Sequence, residues 1–258
     1  MANSPTKTTT HSFAGADGAA MAWHEMGAAD ARPLILIHGL FSNAATNWIR
    51  YGHAAKLAAQ GRRVIMPDLR AHGESAKPHD GGGYRHDILA NDNLALIEQL
   101  GLAPGGYDLG GYSLGARTTA RMLLRGARPG KAMLAGMGLE GLLDLGSRVE
   151  FFRSVLEGVG THQKFSSEWM AEAFLKTTGG DSRALLLLLD HFPAIPRAAL
   201  TEFELPILVL TGAEDHDNGS ARALADALPN AALVEVPGNH MSVVTLPQFG
   251  DAMVDWFR

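Results

Sequence analysis

The stretch Tyr107-Asp108-Leu109-Gly110-Gly111-Tyr112-Ser113-Leu114-Gly115 decides the fold, because a short apolar strand runs directly into a serine flanked by glycines. A helical pattern follows over residues 118–125. Between a strand and a helix, the Gly-x-Ser-x-Gly pentapeptide displays its serine as a nucleophile on a sharp turn. A plain strand-to-helix turn is the alternative, and the chain has 30 glycines, so the pentapeptide alone is weak evidence. The rest of the sequence must decide between the two.

Short apolar runs alternate with helix-like stretches, which is typical of a mostly parallel sheet flanked by helices. Residues 34–37 form a continuous apolar run that ends at His38-Gly39, as expected for a strand buried on both faces. Further strands are predicted at residues 63–66, 107–109, 131–135, 205–211 and 232–236. Helices are predicted at residues 84–100, 118–125, 220–228 and 247–257, and antiparallel edge strands at residues 12–13 and 21–23.

The alternation stops between residues 139 and 204, where no strand is apparent. Helix-like pieces follow one another at residues 149–156, 168–176 and 182–191. An all-helical insertion between two core strands predicts a cap over a site, although a packed helical subdomain would give the same pattern. We therefore predict a core formed by residues 1–138 and 205–258, a helical cap formed by residues 139–204, and a disordered tail over residues 1–11.

Composition excludes several classes of protein. With 258 residues, 46% hydrophobic and 19% charged, the chain can fill the core of one α/β domain. A net charge of −5 provides no electrostatic footprint for nucleic acid. The chain has no cysteine, which excludes disulfides, thiolate metal sites and a catalytic cysteine. Residues 1–11 do not resemble a secretory signal, and no apolar run approaches the roughly 20 residues of a membrane span. A cytoplasmic protein is expected.

A histidine and a carboxylate are available to activate Ser113. His240 follows the apolar run at residues 233–236 and precedes the last helix, which places it at the carboxyl edge of the sheet. A serine hydroxyl needs such a base, and the base needs an acid that fixes its tautomer. Asp215 follows the strand at residues 205–211, with Glu214 and Asp217 as close rivals. Asp215-His216-Asp217 lacks a third ligand at a suitable spacing, so no metal is expected.

The order Ser113, Asp215, His240 resembles that of the α/β-hydrolase superfamily. His38-Gly39-Leu40-Phe41 is similar to the oxyanion loop of that superfamily, and residues 67–75 resemble its Asp-x-Arg-x-x-Gly-x-Ser segment. Together these motifs extend from about residue 34 to 245. The resemblance implies an α/β-hydrolase fold, with a mostly parallel central sheet flanked by helices and a small all-helical cap inserted.

The resemblance also implies roles for particular residues. The backbone N–H groups of Leu40 and Leu114 would form the oxyanion hole, each typically worth about 3 kcal/mol to the transition state. The side chains of the two flanking motifs would tie loops together rather than react, and no cofactor is implied. Those structural residues are His38, Asp68, Arg70 and His72. The predicted pocket walls are Phe41, Tyr112, Met137 and Leu139.

The function predicted from these residues is hydrolysis of a carboxylic ester through an acyl-enzyme, with a small or medium hydrophobic molecule as substrate. An aspartate nucleophile, as in epoxide hydrolases and dehalogenases of this fold, is excluded by Ser113. Cleavage of carbon–carbon bonds, lactones or amides by the same residues is an alternative, and a slow-turnover ligand sensor is another. A carbon–carbon hydrolase would need polar groups for a dienoate in the cap, for which the candidates are Arg148, Arg153, Arg183 and Arg197.

Overall fold

The computed structural model describes residues 7–144 and 146–258, and these residues contain an eight-stranded sheet. In chain order the strands are β1 (Thr9–Ala14), β2 (Ala20–Met26), β3 (Arg32–Ile37), β4 (Arg62–Pro67), β5 (Asp108–Tyr112), β6 (Ala132–Ala135), β7 (Ile207–Gly212) and β8 (Ala231–Val236). Their order in the sheet is β1-β2-β4-β3-β5-β6-β7-β8. Only β2 pairs antiparallel with its neighbours β1 and β4; the other described pairs are parallel. The predicted mostly parallel sheet is confirmed.

Nine α-helices lie within the described residues. They are α1 (His53–Ala59), α2 (Ile88–Gln99), α3 (Leu114–Leu124), α4 (Leu139–Leu143), α5 (Gly146–Glu157), α6 (Ser167–Thr177), α7 (Ser182–Leu189), α8 (Ala221–Ala227) and α9 (Pro247–Phe257). A π-helical turn covers Ala45–Ile49, and short 3-10 helices cover Gly81–Gly83, Arg197–Glu202 and Val243–Thr245. The helix predicted from residue 84 begins later, because Asp87 has a left-handed backbone with φ 60°.

Strand β3 shows how the sheet is covered on both faces. Successive side chains of a strand point to opposite faces. Leu34 and Leu36 therefore pack in the cluster that contains the buried residues of α1 and α9, whereas Ile35 and Ile37 pack with those of α2. All four are fully buried, which explains why the strand reads as an uninterrupted apolar run.

The N-terminal predictions are corrected by the pairing of β1. The expected tail over residues 1–11 is too long, because residues 9–11 pair with β2 opposite Glu25, His24 and Trp23. Residues 1–6 of that tail lie outside the described residues. β2 was expected at an edge of the sheet, but it lies between β1 and β4, and β1 forms the edge.

The described residues between β6 and β7 contain helices and no strand. They comprise α4 to α7 and the 3-10 helix Arg197–Glu202, whereas residue 145 of the predicted cap lies outside the described residues. Helices α5, α6 and α7 contact one another through α5. No helix in the described part of the chain is long and apolar enough to cross a membrane.

The parallel strands bring four loops to one edge of the sheet. Their carboxyl ends all point the same way, so the loops that follow β3, β5, β7 and β8 are neighbours. These loops carry residues 38–41, Ser113, Asp215 and His240 respectively. The candidate site is therefore assembled from residues that are far apart in sequence.

Candidate active site

Ser113 occupies a strained turn between β5 and α3. Its backbone has φ 54° and ψ −114°, which is costly for a residue with a side chain. The Ser113 N–H donates to the carbonyl of Ala135 on β6 at 2.8 Å, which holds the turn against the sheet. Such strain persists only where the surroundings impose it, and it is concentrated at functional sites.

The two glycines of the pentapeptide are required by backbone contacts. A Cβ at Gly111 would lie 2.2 Å from the carbonyl of Gly115, and a Cβ at Gly115 would lie 2.0 Å from the carbonyl oxygen of Ile37. Both distances are far shorter than real contacts allow, and a backbone atom, unlike the end of a flexible side chain, moves only with its whole element. The tight approach of α3 to β3 therefore depends on the absence of these side chains.

We expect Gly115→Ala to lower the free energy of unfolding by about 1–3 kcal/mol, the usual cost of overpacking a close contact. The new methyl group must push α3 away from Ile37, which also displaces Ser113. Urea unfolding followed by circular dichroism measures the change. Gly81→Ala is the matched control, because a Cβ there meets nothing within 4 Å. Equal stability of the two variants would contradict the explanation.

His240 connects Ser113 to Asp215 through two hydrogen bonds. Its Nε2 lies 3.1 Å from Ser113 Oγ, and its Nδ1 lies 2.8 Å from Asp215 Oδ2. Because a carboxylate only accepts, the proton of the neutral ring is assigned to Nδ1, which leaves Nε2 to accept from the serine hydroxyl. Asp215 and His240 are both 8% exposed. The arrangement suits proton transfer from Ser113 to His240.

The structure distinguishes Asp215 from Glu214 and Asp217, the two other candidates for the acid that orients His240. Asp215 Oδ1 accepts from the N–H of Asp217 at 3.2 Å, while its Oδ2 faces His240. Asp217 instead lines the cavity beside Ser113 and pairs with Arg148. Glu214 is exposed. Of the three acids, only Asp215 has a carboxylate within hydrogen-bonding distance of the His240 ring.

Tyr112 holds the loop that carries His240. Its hydroxyl donates to the backbone carbonyl of His240, and its ring lies 5.1 Å from the imidazole ring. Burial raises the pKa of the Tyr112 hydroxyl well above its ordinary value, with the charge of Asp215 acting in the same direction. The hydroxyl therefore stays protonated as a donor. Tyr112 also lines the cavity, the position predicted for it, but its contact with the histidine loop was not foreseen.

The amides of Leu40 and Leu114 lie beside Ser113. Within residues 7–144 and 146–258, neither N–H donates to a protein acceptor. Both residues line a small cavity of about 30 Å³ that Ser113 also borders. Two such amides next to the serine can donate hydrogen bonds to an oxyanion, the role predicted for them.

The loop that carries Leu40 is fixed on both sides by hydrogen bonds. Asn47 Oδ1 accepts from the N–H of Gly39 at 2.9 Å, and His38 Nδ1 lies 2.8 Å from the Gly39 carbonyl. The hydroxyl of Thr178, which follows α6, donates to the carbonyl of Phe41 at 2.6 Å. Phe41 itself has a left-handed backbone with φ 59°. Asn47 was missed because nothing in the sequence marks the π-helical turn on which it lies.

His38, on the loop after β3, and His72, on the loop after β4, are buried as neutral rings. His38 Nε2 accepts from the N–H of Leu69 at 2.9 Å, and His72 Nδ1 donates to the carbonyl of Arg70 at 2.9 Å. Burial lowers the pKa of both rings, that of His72 to about 3. Neither ring bonds Ser113, which accords with a structural role.

The burial of these rings makes stability depend on pH. An unfolded imidazole titrates near pH 6.5, so below that pH the unfolded chain binds protons that the folded ring of His72 excludes. We expect the contribution of neutral His72 to the unfolding free energy to be complete above about pH 6.5 and to fall toward pH 3, by about 1.4 kcal/mol per pH unit. Urea titrations at several pH values measure the slope.

Two histidine variants isolate that effect. His72→Gln should show a shallower fall between pH 6 and pH 4 than the unmodified chain, because one excluded proton is gone. His216→Gln, which replaces an exposed histidine, should keep the original slope. The explanation is wrong if the two variants have the same slope.

A cavity of about 440 Å³ opens beside Ser113 and His240. The residues that the helical insertion contributes to its lining are largely apolar, whereas the loop after β3 and the π-helical turn contribute polar side chains as well as Leu40 and Phe41. The apolar residues of the insertion are Phe151, Phe152, Met170, Ala171 and Phe174, and the polar residues before α1 are Ser42, Thr46 and Asn47. The volume is in the range of small-molecule sites.

The four residues predicted to line the pocket do not all lie in the same cavity. Phe41 and Tyr112 line the main cavity, and Met137 lines only the 30 Å³ cavity next to it. Leu139 lines neither cavity, because its side chain is 5% exposed and packs in a core cluster with Leu142 and Ile195. The prediction for Leu139 was wrong, since α4 turns that side chain into the core.

Comparison with known proteins identifies the family that the chain matches. A model described as the Alpha/beta hydrolase family matches residues 34–255. The chain is similar to an esterase from Thermogutta terrifontis (TM-score 0.77, 21% identity, covering 97% of this chain and 98% of that one). It is also similar to the enol-lactonase from Burkholderia xenovorans LB400 (TM-score 0.73, 22% identity, covering 96% and 99%).

A curated protein matches over a shorter stretch. It is the dihydrolipoyllysine-residue acetyltransferase component of the acetoin cleaving system of Pseudomonas putida, 42% identical over 98 residues. The match covers 38% of this chain and 24% of that protein, so it spans about a quarter of the relative's length.

Proposed function

The chain belongs to the α/β hydrolase family and has its fold, and from this premise we propose that it is a serine hydrolase of carboxylic esters. The observation that carries the proposal is the hydrogen-bonded chain from Ser113 Oγ through His240 to Asp215, at 3.1 and 2.8 Å. A nucleophile bonded to a base that is oriented by an acid is the arrangement for acyl transfer.

In the first half of the proposed reaction, Ser113 Oγ attacks the ester carbonyl and His240 Nε2 takes its proton. The carbonyl oxygen becomes an oxyanion and accepts hydrogen bonds from the amides of Leu40 and Leu114. Asp215 stabilises the imidazolium that has formed. Collapse of the intermediate breaks the ester bond, and His240 returns the proton to the departing alcohol. Ser113 is left as an acyl ester.

In the second half, water replaces the alcohol. His240 removes a proton from the water as its oxygen attacks the acyl carbon, and the same two amides bind the second oxyanion. The bond to Ser113 Oγ breaks, Oγ recovers the proton from His240, and the carboxylic acid leaves. The cycle consumes one ester and one water and needs no cofactor.

The substrate proposed from the cavity is of medium size and largely apolar. We infer that the helical insertion over residues 139–204 acts as a cap, because α5 and α6 supply apolar side chains to the cavity that Ser113 lines. Three large hydrophobic side chains with substantial exposure border the same cavity. These are Tyr51 (38% exposed), Met170 (57%) and Met241 (55%). Exposed apolar side chains around a cavity favour a ligand that is itself apolar there.

The experiment that tests the proposal measures product partitioning. The chain is supplied with phenyl and 4-nitrophenyl butyrate in buffer containing methanol, and the ratio of methyl butyrate to butyrate is determined. A common acyl-enzyme predicts one ratio for both esters, because the alcohol has left before partitioning. A ratio that depends on the leaving group would overturn the acyl-enzyme. Turnover of a lactone, an amide or a vinylogous ring-fission product without turnover of either ester would overturn ester specificity.

A further inference from the structure

Arg148 is the one lysine or arginine among the described residues that line the main cavity. It lies in the first turn of α5 and also borders the smaller cavity beside Leu40 and Leu114. The other three arginines singled out in the insertion lie elsewhere: Arg153 pairs with Asp190, Arg183 donates to the carbonyl of His79, and Arg197 is exposed. The charge of Arg148 therefore has a position that the other three do not share.

Most hydrogen-bonding capacity of Arg148 is unused by the protein. A guanidinium has five N–H donors. Across the described part of the chain, Arg148 makes one side-chain hydrogen bond, from Nη1 to Asp217 Oδ2 at 3.3 Å, and its buried Nε has no partner. The structural arginine Arg70, by comparison, makes five hydrogen bonds to two carboxylates and a carbonyl. Arg148 is thus held in place while most of its N–H donors have no protein acceptor.

The surroundings of Arg148 leave its charge available to a ligand. Its guanidinium carbon lies 5.0 Å from the centre of the Phe152 ring, a cation–π contact that stabilises the group beside an aromatic side chain of the cavity. Its side chain is 26% exposed and that of Asp217 is 46% exposed. A long contact to a half-exposed carboxylate contributes little, because water screens it. A carboxylate that enters the cavity could replace Asp217 with two parallel bonds.

We propose that Arg148 binds an anionic group of the substrate, so that the esters hydrolysed here carry a carboxylate a few carbons from the scissile carbonyl. This inference rests on the proposed ester hydrolysis and narrows its substrate class. The apolar remainder of the molecule lies along Phe151, Phe152 and Phe174, which line the same cavity. When the substrate is absent, Arg148 forms its ion pair with Asp217.

The kinetic test compares matched esters on matched variants. 4-Nitrophenyl hemisuccinate carries a carboxylate on its acid portion, and 4-nitrophenyl 4-methylpentanoate is its neutral counterpart of similar shape. 4-Acetoxybenzoate and its methyl ester place the charge on the alcohol portion instead. We expect Arg148→Met to lower kcat/KM roughly 10- to 100-fold for the anionic member of one pair, the usual effect of a lost charge-assisted bond. The neutral member should change less than about threefold.

Three further variants separate recognition from structure. Arg148→Lys should recover part of the loss, because it restores the charge but not the planar fork. Asp217→Asn should raise kcat/KM for the anionic ester, because it removes the competing carboxylate. Arg153→Met, on the same helix but outside the cavity, should leave the ratio of anionic to neutral turnover unchanged. Equal losses on both members of each pair in Arg148→Met, or no loss, would overturn the proposal.

A binding measurement keeps the proposal testable if neither ester is hydrolysed. N-(4-nitrophenyl)succinamic acid is the hydrolysis-resistant amide counterpart of the hemisuccinate, and calorimetry measures its affinity for Ser113→Ala with and without Arg148→Met. Tighter binding of this acid than of N-(4-nitrophenyl)-4-methylpentanamide, lost on replacing Arg148, supports the anion site whatever the reaction. Equal affinity for the acid in both proteins overturns the anion site, whereas absence of ester turnover alone overturns the proposed function.

Discussion

Ser113→Ala is expected to lower kcat for 4-nitrophenyl butyrate by about 10⁶-fold while the chain remains folded. The variant keeps the amides of Leu40 and Leu114, so it can still polarise the bound ester. It loses the atom that forms the acyl-enzyme, and His240 then has only water to activate. The residual rate should exceed that in buffer by about 10³–10⁴-fold, the part supplied by binding and by the oxyanion donors.

The measurement is steady-state release of 4-nitrophenolate at a substrate concentration well above KM. Ser12→Ala, on the exposed face of β1, controls for the effects of a serine substitution as such. Circular dichroism verifies that both variants are folded. Turnover of Ser113→Ala within tenfold of the unmodified chain would eliminate Ser113 as the nucleophile.

Asp215→Asn is expected to lower kcat by about 10⁴-fold with little change in shape. The carboxylate accepts the Nδ1 proton of His240 at 2.8 Å and thereby keeps Nε2 free to take the proton of Ser113. An amide can donate to Nδ1 instead, which would place the imidazole proton on Nε2 and block the base. It also removes the negative charge that stabilises the imidazolium.

Glu214→Gln is the matched control for that variant, because it removes a neighbouring carboxylate that is exposed. It should retain nearly full activity. A loss in Glu214→Gln comparable with that in Asp215→Asn would show that the loop, and not the contact with His240, is responsible. Full activity of Asp215→Asn would contradict its role as the acid.

The regular part of the fold could be predicted because burial on both faces leaves a clear sequence pattern. Residues 34–37 read as an apolar run because α1 and α9 cover one face of β3 and α2 the other. The position of β2 could not be predicted, because its pairing with β4 joins residues about 40 positions apart and depends on the whole sheet. The start of α2 was misplaced for a local reason, the left-handed backbone of Asp87.

The candidate site was predictable where a residue type and a strand end coincide. Ser113, Asp215 and His240 satisfy both conditions. The amides of Leu40 and Leu114 could be predicted because they lie in or next to the motifs at two of these strand ends. Side chains that reach the site from other elements carry no such mark. Asn47 lies on an irregular π-helical turn, and Arg148 looks in the sequence like any surface arginine of a helix. Leu139 shows the converse error, since proximity in sequence to β6 did not place it in the cavity.

Locating the residue that becomes covalently modified tests the central claim most directly. The chain is treated with diethyl 4-nitrophenyl phosphate, which transfers its phosphoryl group to an activated serine, and the digested protein is analysed by tandem mass spectrometry. We predict a single diethylphosphoryl group on Ser113, formed in step with the loss of esterase activity and absent from Ser113→Ala. Complete inactivation with the group on another residue, or with no group on Ser113, would contradict the assignment.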